Sequence, residues 1–271
     1  MTEIGILRCI ADSVRDTVLD RFPHGGGERR ISRGAGGDWT KEIDQVAERA
    51  AFEVMGDLDL DWNILSEESG AINKGSSKTL IFDPVDGTYN AANGIPFYST
   101  SLALADERGE ITAGLVLDIP MGWCFKAVKG EGAQLDGESI HTRKYIDSEA
   151  VFASFLGPDS MEENRRILSW PRRGRYFGAI SLEICLVARG AIDMFAMFSR
   201  VPRITDIAAS HLILEEAGGI HIRIREDGTW DNFYPGDKDS IRGIIAIGDR
   251  GALDRIVEIS SRTVHEGGVT G

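Results

Sequence analysis

Two carboxylates three residues apart, Asp83 and Asp86, sit in the hexapeptide Asp83-Pro84-Val85-Asp86-Gly87-Thr88, and a glycine and a hydroxyl follow at once. The apolar run Thr79-Leu80-Ile81-Phe82 before them reads as a buried strand, and Tyr89-Asn90-Ala91-Ala92-Asn93-Gly94 after them as a short helix. Both carboxylates then emerge at a strand end, where hard divalent cations find the oxygen ligands they prefer. The backbone N–H groups of Gly87 and Thr88 open the helix, a place that favours a phosphate. Cation and phosphate on one loop is the setting for metal-assisted phosphoester chemistry. By composition alone the same letters also make an ordinary turn, so other parts of the chain must decide.

Further acids lie where such a site could use them. Glu67 and Glu68, in Leu65-Ser66-Glu67-Glu68-Ser69-Gly70, follow a short apolar stretch and precede a glycine. Taken alone they are a solvated pair. Asp44 stands near the start of a helical pattern, with Asp38 in a glycine loop six residues before it. Asp206 opens Asp206-Ile207-Ala208-Ala209-Ser210, where a first-turn acid stabilised by the helix dipole is as good an explanation as a metal ligand.

The elements that must position these groups are legible from periodicity. Ile4, Leu7, Ile10, Val14 and Val18 mark a first helix ending near Phe22-Pro23, and His24-Gly25-Gly26-Gly27 breaks it. Glu28 to Trp39 reads as an irregular surface loop, or a lid if it lies beside the site. Ile43, Val46, Ala47, Ala50 and Val54 mark a second helix. From Ile64 to Val128 strands dominate, with Tyr98–Ala105 and Ile111–Leu117 as a hairpin around Asp106-Glu107-Arg108-Gly109. Beyond Tyr145 helices and strands alternate: Gly178–Arg189 and Asp206–Ala217 as helices, His221–Ile224 and Gly243–Ile247 as strands. One domain over residues 1–271 with subdomains of about 1–145 and 146–271 sharing a cleft is the expected organisation.

Composition narrows the function classes. A net charge of −13 argues against nucleic acid or an anionic membrane as the main partner. The same charge would repel a phosphate ester unless bound cations and arginines reverse it locally. Three cysteines without CxxC spacing, and no secretory segment, point to reduced, mostly buried thiols in a soluble, cytoplasmic protein. No apolar run approaches the ~20 residues needed to span a bilayer.

Glu67-Glu68-Ser69, Asp83-Pro84-Val85-Asp86-Gly87-Thr88 and Thr205-Asp206-Ile207-Ala208-Ala209 stand in the order and spacing of the inositol monophosphatase family. The chain resembles that family along nearly its whole length, including Lys129-Gly130-Glu131-Gly132-Ala133 and Glu215-Glu216-Ala217-Gly218-Gly219. Its second half is most similar to archaeal members, many of which act on both inositol monophosphate and fructose 1,6-bisphosphate. The resemblance implies an α+β / α/β fold, a layered αβαβα sandwich of the sugar-phosphatase type, and a homodimer. It implies two to three Mg²⁺ ions: one on Glu67, Asp83 and the Val85 carbonyl, a second on Asp83, Asp86 and Asp206. A weaker third would sit near Glu67 with Asp38 and Asp44. Asp44 and Thr88, with Glu67, would serve the attacking water, while Asp86, Gly87, Thr88 and Ile180 would face the substrate. Cations acidify bound water and stabilise both oxygens of an in-line displacement, so no phosphoenzyme is expected.

Two departures bear on the substrate. Thr205 stands where the family usually has Trp, and Ser199 where the eukaryotic inositol branch has a Glu that contacts an inositol hydroxyl. Arg200 and Arg203 lie nearby, with Arg172, Arg173 and Arg175 upstream. Guanidinium groups grip phosphate bidentately, so one of them could hold a second phosphate; Arg172 and Arg173 could equally decorate a surface turn. The expected activity is Mg²⁺-dependent hydrolysis of phosphate monoesters of small polyols and sugars. Its rivals are a nucleotide-type phosphatase for NADP or 3′-phosphoadenosine, needing an aromatic platform such as Trp39 or Tyr176, and a catalytically silent metal-binding regulator.

Overall fold

Period-two alternation along the central strands sets the layers of the molecule. The computed structural model describes residues 1–35, 39–155, 173–198, 202–225, 229–233 and 241–255. The chain begins with α1 (Glu3–Arg21), β1 (Arg30–Arg33), β2 (Trp39–Lys41) and α2 (Glu42–Asp57). Next come β3 (Asn63–Ser66), β4 (Gly70–Ile72), β5 (Thr79–Asp86), α3 (Thr88–Ala92), β6 (Ser99–Ala105) and β7 (Ile111–Asp118). Then follow β8 (Cys124–Val128), β9 (Ala133–Leu135), β10 (Glu138–Ser139), β11 (Val151–Phe155), β12 (Arg173–Arg175) and α4 (Ile180–Ala188). The last are β13 (Met194–Met197), α5 (Ile204–Glu216), β14 (Ile220–Arg225), β15 (Trp230–Asn232) and β16 (Ile241–Ile247).

Among the described residues one sheet has the order β10-β9-β8-β7-β6-β5-β3-β4, antiparallel except for the β3–β5 pair. A second sheet has the order β12-β11-β13-β16-β14-β15, with β11 parallel to both its neighbours. On β5, Leu80 and Phe82 join a core with Leu7, Ile10 and Ile43 of α1 and α2, while Ile81 joins a different core with Leu182 and Ile207 of α4 and α5. The second sheet repeats the device. Phe195 and Ala246 face the inner helices, and Met194 and Ile245 pack with Ala252 and Leu253 on the outer side. Fully burying each large apolar side chain is worth about 1.5–3 kcal/mol, which is why both faces of these strands read as continuous apolar runs. The layers therefore run α, β, α, β, α, the sandwich that the resemblance implies.

Two local expectations change. Residues 28–39 are not wholly irregular: β1 and β2 form an antiparallel pair with Arg33 opposite Trp39 and Arg30 opposite Lys41. The glycines hid this pairing, whose cross-strand contacts are set by arginine and tryptophan side chains. The strand at Thr79 does not stop at Phe82 but continues through Asp86, with a register shift against β6 between Asp83 and Asp86. That irregularity accommodates Pro84, which has no N–H to give a ladder. The thiols are mostly buried, as expected: Cys124 and Cys185 are buried, and Cys9 is exposed on α1. No helix among the described residues is long and apolar enough to cross a membrane.

Candidate active site

Parallel pairing of β3 with β5 puts Ser66 beside Phe82, so the residues that follow, Glu67 and Asp83, emerge side by side. The Glu67 N–H donates to the Phe82 carbonyl at 3.1 Å and holds the two strand ends together. Gly87 turns the chain at φ 89°, a conformation that favours glycine, and a Cβ there would lie 3.0 Å from that of Ala179. Asp44 and Asp206 arrive on helices, each at the third helical position. Each carboxylate accepts the backbone N–H of the residue before its helix, Lys41 at 3.0 Å and Arg203 at 3.3 Å. The helix-start explanation of Asp206 thus holds, and its other carboxylate oxygen accepts the Thr205 hydroxyl at 3.3 Å.

Carboxylate oxygens of Glu67, Asp83 and Asp206 lie within 4.8 Å of one another, the last two buried. They belong to a cavity of about 250 Å³ that Asp44, Asp86 and Thr88 also line. Burial pushes Asp83 well above the usual carboxylate range, and the charges of Asp86, Asp206 and Asp44 push it further. Burial and then the Asp206 charge raise Asp86 to about 7, against hydrogen bonds from Ser181 and Ile180. Asp44 is raised to about 7, again by burial first, with the Lys41 N–H opposing and the Glu68 charge adding. Buried like charges at this spacing are costly unless a cation compensates them. An all-oxygen donor set suits a hard divalent ion, so the residues present fit the metal that the family pattern implies.

The remaining expected residues distribute as follows. Val85 is buried, its N–H donating to Asp83 at 3.0 Å and its carbonyl accepting the Thr88 hydroxyl at 3.0 Å. Asp86 accepts the N–H groups of Ile180 at 3.1 Å and Ser181 at 2.7 Å, and the Ser181 hydroxyl at 2.5 Å. The first turn of α4 is thus tied to β5, and Ile180 lines the cavity with its N–H already engaged. Gly87 and Arg203 also line it, and the Arg203 guanidinium contacts Glu67. Arg175 is exposed on β12 and donates to the Gly174 carbonyl at 2.8 Å; it is not at the cavity. Tyr176 is likewise exposed and away from it. Asp38 and Arg200 lie outside the described residues.

Sequence reasoning missed two supporting groups. Glu48, one helical turn beyond Asp44, accepts the Ser66 and Ser69 hydroxyls that bracket Glu67 and Glu68. Its i,i+4 spacing from Asp44 was the available signal. Ser181, which holds Asp86, had no signal in the chain. Neither did Tyr89, which lines the cavity mouth together with Trp39 and Lys41.

Comparison with known proteins shows the family. The model of the inositol monophosphatase family matches residues 10–262. A fructose-1,6-bisphosphatase/inositol-1-monophosphatase from Methanocaldococcus jannaschii is 31% identical over 220 residues, covering 80% of this chain and 84% of that protein. A bifunctional NADP phosphatase/NAD kinase from Methanococcus maripaludis is 36% identical over 218 residues, covering 70% of this chain but 38% of that longer protein. The crystal structure of an inositol monophosphatase–fructose 1,6-bisphosphatase superposes with a TM-score of 0.82 at 28% identity, covering 96% of this chain and 100% of that one. The chain therefore belongs to the inositol monophosphatase family and is a phosphoric monoester hydrolase.

Proposed function

We propose that the protein uses Mg²⁺ to hydrolyse phosphate monoesters of small polyols and sugars, with inositol monophosphate and fructose 1,6-bisphosphate as the substrates to try first. The observation that carries this reading is the convergence of Glu67, Asp83 and Asp206 within 4.8 Å on the wall of one small cavity. Glu67, Asp83 and the Val85 carbonyl would hold one ion, and Asp83, Asp86 and Asp206 a second. When bound, the ions neutralise the carboxylates, acidify a water and stabilise the charge that develops on the phosphoryl group.

The chain's own residues orient the reactants. The Thr88 hydroxyl donates to the Val85 carbonyl and also stabilises the charged Asp44 carboxylate. One hydroxyl proton cannot serve both acceptors at once, so Thr88 can pass between them while its lone pairs accept from a water. Asp44 would then take the proton that the water loses. The phosphoryl oxygens would meet the backbone of Gly87 and Thr88, and Arg203 on the cavity wall would meet the second phosphate of a bisphosphate. Cys9, Cys124 and Cys185 do not line the cavity, consistent with direct attack by water.

The test is phosphate release from inositol 1-phosphate and from fructose 1,6-bisphosphate, with and without Mg²⁺. Mg²⁺-dependent release that is lost in Asp86→Asn supports the reading. Undiminished release from a folded Asp86→Asn variant would remove Asp86 from the machinery, and no release from either ester with Mg²⁺ bound would overturn the substrate class.

A further inference from the structure

Helix α4 carries a buried acid that the reaction does not use. Its residues Ile180–Ala188 are apolar except for Ser181 and Glu183, and the Glu183 side chain is fully buried. Burying a carboxyl is costly unless hydrogen bonds compensate it. Burial raises Glu183 to about 8; the Phe177 N–H opposes this, the Asp86 charge adds to it, and the N–H groups of Gly178 and Ala179 oppose it again. The Phe177 N–H donates to Oε1 at 3.4 Å, while Oε2 has no hydrogen-bond partner among the described residues. The next two N–H groups in the chain, those of Ile180 and Ser181, donate to Asp86 at 3.1 and 2.7 Å. The successive backbone donors from Phe177 to Ser181 are therefore divided between two carboxyls.

We propose that Glu183 is a positioning residue: it fixes the Phe177–Ala179 backbone, and through it both the N–H groups that orient Asp86 and the cavity wall behind the phosphate turn at Gly87. This rests on the phosphatase reading of the cavity, which Glu183 itself does not line.

The contacts of that segment lead straight into the site. Gly178 lines the cavity with φ 87°. A Cβ on Gly87 would lie 3.0 Å from that of Ala179 and 3.2 Å from the Gly178 carbonyl oxygen, so a shift of the segment is felt at the turn. Asn90, buried on α3, donates to the Phe177 carbonyl at 2.6 Å and to the Phe97 carbonyl at 2.8 Å. The Phe97 and Phe177 rings stack with their centroids 4.6 Å apart. Those contacts tie the segment to α3 and to the loop before β6; Glu183 ties it to α4. A helix start that needed only a cap would carry a short polar residue just before the helix. Ala179 stands there and supplies no side-chain acceptor, and the acid sits instead four residues further on, inside the core. One side chain thereby holds residues on which the cavity depends without entering it.

The test compares Glu183→Leu, Glu183→Gln and Ile184→Ala, the last removing a buried apolar neighbour on the same helix. Amide hydrogen exchange is read on the metal-free proteins, Mg²⁺ affinity by calorimetric titration, and kcat on inositol 1-phosphate at saturating Mg²⁺. In Glu183→Leu we expect faster exchange from Phe177 through Ser181. Its Mg²⁺ affinity and kcat should each fall by about 10–100-fold, the range for groups that orient a metal ligand. Glu183→Gln keeps an acceptor oxygen and should stay within about threefold of wild type. Ile184→Ala should lower the melting temperature without either loss in the folded protein. If Glu183→Leu does not fold, Glu183→Asp, one methylene short of the segment, is read in its place with the same direction expected. Mg²⁺ affinity and kcat within about twofold of wild type in the folded Leu or Asp variant overturn the proposal. So does an equal loss in Ile184→Ala, which would make the effect one of stability, or in Glu183→Gln, which would deny the acceptor role. If the wild-type protein hydrolyses no ester, exchange and Mg²⁺ affinity still decide the role of Glu183, and only the phosphatase reading falls.

Discussion

Asp83 concentrates the energetics of the site in one side chain. It is buried, pushed up by desolvation and then by three neighbouring carboxylates, and has one hydrogen bond from the Val85 N–H. Asp83→Asn should therefore raise the melting temperature of the metal-free protein while lowering turnover by about 10²–10³-fold, the range seen when one transition-state-stabilising group is removed. Calorimetry in EDTA beside an activity assay checks both, and a lower metal-free melting temperature would show that repulsion is not the dominant cost. Thr88→Val keeps the side-chain shape but removes the hydroxyl between Val85 and Asp44. A drop in kcat of about 10²–10⁴-fold with little change in KM is expected, since positioned proton transfer is worth that much. Asp83, Asp86 and Thr88 were legible in the chain because they are contiguous and their types admit few other uses. Glu48 offered only its i,i+4 spacing from Asp44, and Ser181 offered nothing, because a hydrogen bond made 95 residues away leaves no trace in local spacing.

At the scale of elements, the close approach of α5 to β7 positions Asp206. A Cβ on Gly114 would lie 2.8 Å from the Ala209 carbonyl oxygen and 3.1 Å from its Cα, so the helix lies almost directly on the strand. Gly114→Ala should push the helix outward and cost about 1–3 kcal/mol, the usual range for overpacking. Because Asp206 is one turn before Ala209, Mg²⁺ affinity should fall with stability, and a calorimetric titration on the variant reads this directly. Asp118 offers a second test at the end of β7. Burial raises its carboxyl to about 6, opposed by the Met121 N–H at 2.9 Å and by Arg15. The folded state thus holds this proton more tightly than the unfolded chain. The favourable contribution is complete below about pH 4 and is lost as pH rises through 6. Asp118→Asn keeps the acceptor for Met121 and should be more stable than wild type at pH 8, by on the order of 1–2 kcal/mol, with the gap closing below pH 4. Denaturant unfolding across that range checks it, and a gap independent of pH would show another cause.

For the whole molecule, the cluster joins the eight-stranded sheet to a helix of the middle layer, since Glu67 and Asp83 come from one and Asp206 from the other. A cation bound there only in the folded state should stabilise the entire fold by about 2.7 kcal/mol at a hundredfold excess over its Kd. For a chain of this size that corresponds to a rise in Tm of about 5–10 °C. A scan with Mg²⁺ and with EDTA measures it, and Asp206→Asn should lose most of the difference. By itself the sequence marked the strands as apolar runs, the helices as periodic stripes and the acid–glycine–hydroxyl loop as a candidate site, while the family and its layered fold came from the resemblance carried by the three motifs. The tertiary structure decided which of the scattered charges share a cavity. It brought Arg203 to Glu67, left Arg175 on an outer strand, and set Tyr89 beside Trp39 and Lys41 at the mouth. Those choices depend on strand register and helix docking over long separations, and a one-residue change in register would turn each side chain to the other face.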